Sequence, residues 1–178
     1  VQYQESDFDF NQRLLQSEGI FYFFEHTKSN HTLVLADDIT AYEMCGEAKV
    51  VHSTGHLSES HVSRWQGGLS LAPGSFKRLG SDFKQPSRYP YAKQANAELP
   101  TQSVSEIFEY TAEAECHPRA ANLASVQLES LQRDMKLSSG RSDCRSFSVG
   151  KLFSFKKHED PRLEGKTFAI TSMMTSIV

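Results

Sequence analysis

The stretch that decides the fold is residues 1–38, VQYQESDFDFNQRLLQSEGIFYFFEHTKSNHTLVLADD. Ser6 is a typical N-cap residue, and Asp9 lies three positions later as its partner in a weak capping box. Asp7 falls in the first turn, where the positive end of the helix dipole favours a carboxylate. Gly19 suits the left-handed residue that often ends a helix. This stretch therefore predicts a helix between Ser6 and Gly19.

The hydrophobic pattern changes from a helical period to a strand period immediately after this helix. The helix itself carries a stripe of apolar residues, which are Phe8, Phe10, Leu14 and Leu15. Residues 20–24 form a continuous apolar and aromatic run, residues 28–30 favour a turn, and residues 31–36 form a second strand. Leu33 and Leu35 share one face of that second strand. A helix followed directly by a β-hairpin is the predicted structure.

The rest of the chain predicts short strands and one longer helix. That helix begins at His117 and Pro118, where a proline is tolerated in the first turn, and ends at residues 138–140. Its apolar stripe has spacings of 4, 3 and 4 residues and consists of Ala124, Leu128, Leu131 and Met135. The predicted strands are residues 50–51, 57–66, 75–84, 107–112, 144–148, 152–155 and 166–178, and the predicted loops are residues 39–49, 85–100 and 156–165. Two helices separated by runs of strands, without regular alternation, predict an α+β fold.

Composition argues against several classes of function. The net charge of −3 offers no basic face for nucleic acid. No apolar run approaches the roughly 20 residues of a membrane helix, so we expect no stable membrane insertion. The three cysteines are odd in number and widely spaced, which argues against a disulfide framework: Cys45, Cys116 and Cys144. The chain begins at Val1 without a methionine and stops inside an apolar run, so we expect a fragment of a longer chain.

Candidate catalytic chemistry is sparse. His52, His56 and His61 are four and five residues apart, which invites a metal-site hypothesis. The glycine and serines between them predict a loop or strand, and no cysteine or carboxylate pattern completes a zinc site. Nucleophile elbows and glycine-rich phosphate loops are absent from the sequence. We expect no catalytic residue, no metal site and no cofactor; a metal-dependent hydrolase using the histidine-rich segment is the less favoured alternative.

The first predicted strand supplies candidates for an interface, which are Phe21, Tyr22, Phe23 and Phe24. A continuous apolar run belongs more often to a strand covered on both faces than to an exposed binding platform. We expect the cover to come from the second helix, through Leu128 and Leu131, or from another subunit. These six residues form the predicted packing or subunit interface.

The opening stretch also resembles a known family. The string YQESDFDFNQRLLQSEGIFYFFEH, followed by HTLVLADD, is similar to the signature of the valine–glycine repeat (VgrG) spike proteins of type VI secretion, in their phage tail-hub-like (late control D-like) region. Later segments similar to the same family are VSRW at 62–65, LAPG at 71–74, DFKQP at 82–86, GRS at 140–142 and FAITS at 168–172. The resemblance covers nearly the whole chain. It departs from the family at residues 80–82 and at residues 107–118, which lack a Pro-Gly pair.

The resemblance implies a mainly antiparallel α+β fold with two parts. Residues 1–45 and 86–139 would form a discontinuous α/β part that carries both helices. Residues 46–85 and 140–178 would form a phage tail-hub-like β-barrel part.

The implied function is structural. The chain would form part of the trimeric hub of the cell-puncturing spike of a contractile type VI secretion apparatus. The implied partners are two further copies in a homotrimer of the full-length protein, a hexameric inner-tube protein, and an effector or spike-tip protein. The implied localisation is assembly in the bacterial cytoplasm followed by injection through the apparatus. A phage tail baseplate hub protein is the alternative, and it differs mainly in biological setting.

Overall fold

The computed structural model describes residues 1–55, 57–81, 87, 91–96, 105–111 and 117–176. The helices within them are α1 (Asp7–Glu18) and α2 (His117–Gln132). The strands are β1 (Phe21–His26), β2 (His31–Ala36), β3 (Glu43–His52), β4 (His61–Gly67), β5 (Ser75–Gly80), β6 (Tyr91–Ala95), β7 (Glu106–Thr111), β8 (Ser138–Ser142), β9 (Lys151–Lys157) and β10 (Thr167–Ala169). Short 3-10 turns lie at Ile39–Ala41, Arg133–Lys136 and Pro161–Leu163.

The strands form three sheets. β1 and β2 make a two-stranded antiparallel sheet, while the larger sheets have the orders β6-β5-β7 and β10-β9-β3-β4-β8. β5 runs antiparallel to β6 and parallel to β7. β3 runs parallel to both β4 and β9. The predicted α+β fold class is confirmed, with antiparallel and parallel pairs together in each of the two larger sheets.

The chain divides into two compact units. The first unit comprises Val1–Ile20 and Gly68–Leu137, and the second unit comprises Phe21–Gly67 and Ser138–Val178. The boundaries implied by the resemblance lie near residues 45, 85 and 139, and the last of these is close to a boundary between the two units. The hairpin β1–β2 belongs to the second unit because its buried ring, Phe23, packs on residues of that unit. The assignment of the two parts to the α/β and barrel parts of a hub stays a prediction.

The core of the first unit lies between α2 and the three-stranded sheet. Ala124 is fully buried on α2, and Leu128 is 6% exposed. Both pack with Phe76 of β5, Ala92 of β6 and the half-buried Ile107 of β7. The first two residues of the predicted apolar stripe therefore face the sheet, whereas the last two are not part of this core. The small side chain at position 124 leaves room for the sheet's larger ones.

α1 begins and ends where the sequence predicts. Ser6 Oγ accepts a hydrogen bond from the Asp9 N–H at 3.1 Å and donates one to the Asp9 carboxylate at 2.6 Å. Gly19 has a φ of 76°, and a Cβ added there would lie 3.0 Å from a Val126 methyl carbon. The apolar stripe of α1 is not buried in this chain, and Phe8 is 64% exposed.

The core of the second unit is an aromatic cluster on the five-stranded sheet. Phe155 and Phe153 of β9 are 1% and 4% exposed. Trp65 of β4 packs edge-on against these two rings, with centroid distances of 5.0 and 6.0 Å. Phe168 of β10 lies 4.9 Å from the same indole. Gly140 of β8 lies against the indole, because a Cβ added there would come within 2.9 Å of it. Edge-to-face ring pairs add stabilisation beyond the apolar area that they bury.

Three predicted segments are wrong, and a fourth, the predicted strand 166–178, is a strand only at Thr167–Ala169 within the described residues. β3 occupies most of the predicted loop 39–49, and β6 lies inside the predicted loop 85–100. The predicted strand 144–148 has turns and irregular backbone, and the strand of that region is β8, which begins at Ser138. β3 and β6 are stabilised by hydrogen bonds to strands distant in sequence, which a local pattern does not reveal. Phe83, near the end of the predicted strand 75–84, lies outside the described residues.

The N-cap of α1 gives a direct test of this fold. Ser6→Ala removes the acceptor of the Asp9 N–H, so we expect the free energy of unfolding to fall by about 1 kcal/mol. Chemical denaturation followed by circular dichroism measures the change. Ser17→Ala is the matched control, because Ser17 lies within the same helix with its hydroxyl on the Leu14 carbonyl. That control should leave the stability unchanged or slightly higher; an equal loss in both variants would contradict the capping role.

Candidate interaction surface

The β1–β2 hairpin has two faces of different character. Its register pairs Tyr22 with Leu35 and Phe24 with Leu33. Because neighbouring residues of a strand point to opposite faces, these four side chains lie together on one side. The outer face consists of Tyr22, Phe24, His26, His31, Leu33 and Leu35. The inner face carries Phe21, Phe23 and Glu25 of β1.

The inner face is fastened to its own unit by aromatic packing. The rings of Phe21 and Phe23 lie 5.1 and 5.4 Å from the ring of Tyr42. Phe23 also lies directly on the backbone of Gly150, where an added Cβ would come within 2.2 Å of the ring. Gly150 has a φ of 83°, a conformation that favours glycine. Glycine is therefore required at position 150 both by the turn and by the ring above it.

Two ion pairs of one partly buried lysine also hold the inner face in place. Lys151 Nζ lies 2.8 Å from a carboxylate oxygen of Glu25 and 2.9 Å from one of Glu43. Hydrogen bonds to these two carboxylates raise the pKa of Lys151, and the same ammonium lowers the pKa of Glu43. The Lys151 side chain is only 20% exposed, so the bridge fixes the orientation of the hairpin more than a fully solvated pair would.

The outer face is an exposed apolar surface. Phe24, Leu33 and Leu35 are 45%, 49% and 54% exposed. At the end of the hairpin, the rings of His26 and His31 lie 6.3 Å apart, and each lies 6.4 Å from the ring of Phe24. Contiguous apolar side chains on the surface of a soluble domain are typical of a site that another protein covers.

The structure separates the residues that the sequence grouped as one interface. Phe21 and Phe23 lie on the inner face, whereas Tyr22 and Phe24 lie on the outer face. Leu128 is buried in the core of the first unit. Leu131 is 39% exposed on α2. For the inner face, the cover comes from Tyr42 and Gly150 of its own unit, and the subunit-interface role of the six residues stays a prediction.

Sequence reasoning missed the partners that define both faces. Leu33 and Leu35 were visible as one face of β2, but only the register places them beside Tyr22 and Phe24. Lys151 had no local signal, because its two carboxylates lie more than 100 residues away in the chain.

The other candidate chemistry does not converge on one site. His52 is buried beside His158, His61 Nδ1 lies 3.1 Å from the Glu59 carbonyl, and His56 lies outside the described residues. Over the part of the chain that the structure describes, no group of three or more His, Cys, Asp or Glu side chains could hold a metal ion. Cys45 and Cys144 are buried free thiols.

The helices of the described ranges are too short or too polar to cross a membrane.

Comparison with known proteins identifies the family. The family model of the phage tail baseplate hub (GPD) matches residues 1–178. The chain belongs to the phage tail baseplate hub family. The predicted resemblance to the phage tail-hub-like region of spike proteins is thereby confirmed.

This hub-family chain is similar to several curated spike proteins. It is 29% identical over 168 residues to the type VI secretion system spike protein VgrG1c of Pseudomonas aeruginosa, covering 92% of this chain and 23% of that protein. It is 29% identical over 157 residues to VgrG1a of the same organism, covering 86% of this chain and 24% of that protein. The chain thus spans about a quarter of the length of these relatives. Among solved structures, prophage tail protein gp18 of Listeria monocytogenes aligns with a TM-score of 0.49 and 15% identity, over 94% of this chain and 48% of that one.

The contact between Phe23 and Gly150 gives a sharp stability test. In Gly150→Ala, the alanine must adopt an unfavourable positive φ, and its Cβ clashes with the ring of Phe23. We therefore expect the free energy of unfolding to fall by about 2–5 kcal/mol. Gly165→Ala is the matched control, because Gly165 has a φ of 74° and nothing within 4 Å of an added Cβ. It should lose only the backbone part, about 1–2 kcal/mol.

Thermal and chemical denaturation of both variants measure the difference. Adding Phe23→Ala to Gly150→Ala should cause less loss than the sum of the two single changes, because the clash disappears. Equal losses in Gly150→Ala and Gly165→Ala would show that the ring does not rest on position 150.

Proposed function

We propose that this chain is a structural part of the cell-puncturing spike of a type VI secretion apparatus, within the hub that sits on the inner tube. The observation that carries the proposal is the family match over residues 1–178. The relatives that share most of this chain are named as type VI spike proteins, which supports the secretion setting.

The hub works by shape and by subunit packing in this proposal, without catalysis. The full-length protein forms a homotrimer that contacts a hexameric inner-tube protein, and an effector or spike-tip protein is its further partner. It assembles in the bacterial cytoplasm and leaves with the apparatus. The match to a baseplate hub family supports this structural role.

The outer face of the hairpin is the proposed contact between subunits. Its apolar side chains are about half exposed, although the inner face of the same hairpin is firmly packed. Burying the remaining apolar surface of Phe24, Leu33 and Leu35 would contribute on the order of 1 kcal/mol for each side chain. A rigid strand pair also loses little conformational freedom when a partner covers it.

A phage tail baseplate hub is the second candidate, favoured by the description of the matching family. It involves the same kind of subunit contact in another apparatus. Purification of the full-length protein with its neighbours from its own cells separates the two: a secretion tube protein favours the spike, whereas a phage tail tube protein favours the phage hub.

The oligomeric state tests the proposed subunit contact. We expect the full-length protein to be a trimer by size-exclusion chromatography with light scattering. The trimer of the double variant Phe24→Ser/Leu35→Ser should be weaker and should need a protein concentration about tenfold higher, or more, to form. The reason is that the variant removes two apolar side chains from the contact. Leu71→Ser is the control, since this leucine is 97% exposed in the first unit.

The possible failures are distinguishable. A strictly monomeric full-length protein would overturn the hub proposal itself. A trimer that is unaffected by the double variant would leave the hub in place and exclude the outer face of the hairpin as its subunit contact.

A further inference from the structure

The second unit contains a buried pair of histidines. His52 ends β3, and His158 follows β9. Their rings are stacked with centroids 4.4 Å apart and an interplanar angle of 18°. Both rings pack edge-on against Phe155, at 6.3 and 4.7 Å, and His52 is only 9% exposed. We name this pair the histidine stack.

The hydrogen bonding of the histidine stack satisfies only one of its four ring nitrogens. His158 Nδ1 accepts a hydrogen bond from the Asp160 N–H at 2.9 Å, so this nitrogen carries no proton. His52 Nδ1, His52 Nε2 and His158 Nε2 are buried without a hydrogen-bond partner. A proton on the buried His52 ring would create a charge beside a second imidazole, with no hydrogen-bond acceptor at either ring nitrogen, which is unfavourable in a protein interior.

The segment after β9 is organised around the same ring. The backbone N–H of His158 donates to a Glu164 carboxylate oxygen at 3.1 Å, and the Asp160 carboxylate accepts from the backbone N–H of Arg162 at 3.0 Å. The Gly165 N–H closes the segment on the Phe155 carbonyl at 2.9 Å. The His158 ring therefore has two contacts at once: its face stacks on His52, and its Nδ1 atom accepts the first hydrogen bond of this turn.

We propose that the histidine stack is an acid-sensitive switch that holds residues 158–165 closed on the second unit at neutral pH and releases them when His52 is protonated. The group that changes is an imidazole, whose ordinary pKa lies close to physiological pH. The bistable element is the short segment, which the stack and a few hydrogen bonds hold in place.

Burial favours this direction of switching, whereas the carboxylates near the histidine stack oppose it. Burial, followed by the neighbouring His158, lowers the pKa of His52, and the Glu159 carboxylate acts in the opposite direction. On the flanking strands, His61 precedes Val62, the partner of His52, and Lys157 is an exposed residue opposite Val51. Hydrogen bonds from Arg162 lower the pKa of Asp160 to about 2, so Asp160 stays ionised throughout the switching range.

The sign of the pH dependence follows from this lowered pKa. The open form, with a pKa for His52 near its ordinary value, binds a proton more readily than the closed form. The closed form is therefore fully favoured above about pH 6.5 and is progressively lost as the pH falls below that value.

Hydrogen exchange of the full chain tests the switch. Between about pH 7.5 and about pH 5, we expect amide exchange in residues 158–165, corrected for the intrinsic rate, to rise about tenfold or more. In His52→Phe/His158→Asn the rise should vanish, because phenylalanine keeps the ring packing and asparagine can accept from the N–H two residues later. The control His117→Gln changes a histidine at the start of α2 in the first unit, and its exchange should rise as in the wild type.

Each outcome decides the proposal. No rise in the wild type, or the same rise in the variant without the stack, would overturn it. Should the double variant fail to fold, His158→Asn alone replaces it and should reduce the rise while the control does not. As a second measurement, the melting temperature of the wild type should fall from neutral to acid pH by about 3–6 °C for each tenfold loss in the folding equilibrium constant. A melting temperature independent of pH in this range counts against the switch.

Discussion

The position of the hairpin depends on a phenylalanine ring that lies on a glycine backbone. Phe23 occupies the space where any other residue at position 150 would place its Cβ. The same glycine turns the chain with a φ of 83°, so the turn and the packing demand the same residue. The next residue, Lys151, then holds Glu25 and Glu43. Two consecutive residues thus fix the hairpin by shape and by charge.

This one-sided attachment explains why the hairpin can serve as a contact surface. The alternation of a strand sends every second side chain to the opposite face, so burying Phe23 necessarily presents Tyr22 and Phe24 to the outside. Leu33 and Leu35 of β2 extend that apolar face. An exposed apolar surface that is backed by packed side chains is suited to the proposed subunit contact.

The histidine stack imposes a second constraint on the same unit. Its rings fill the end of the aromatic core as hydrophobic groups do, but only while they are uncharged. A phenylalanine at position 52 would pack without that condition. The second unit therefore has a titratable side chain at a position where packing alone does not need one. The neighbouring turn begins with a hydrogen bond from the Asp160 N–H to an imidazole nitrogen of His158.

The sequence by itself determined the local elements with strong signals and the family. The sequence predicted the N-cap at Ser6, the left-handed Gly19 and the alternation of side chains along the hairpin strands. Each of these features depends on residues only a few positions apart. Tertiary structure alone decided that β3 and β6 are strands, that Leu128 belongs to a different core from Phe23, and that Gly150 lies under a ring. Those features depend on backbone pairing and on contacts between residues far apart in the chain, for which a local pattern carries no information.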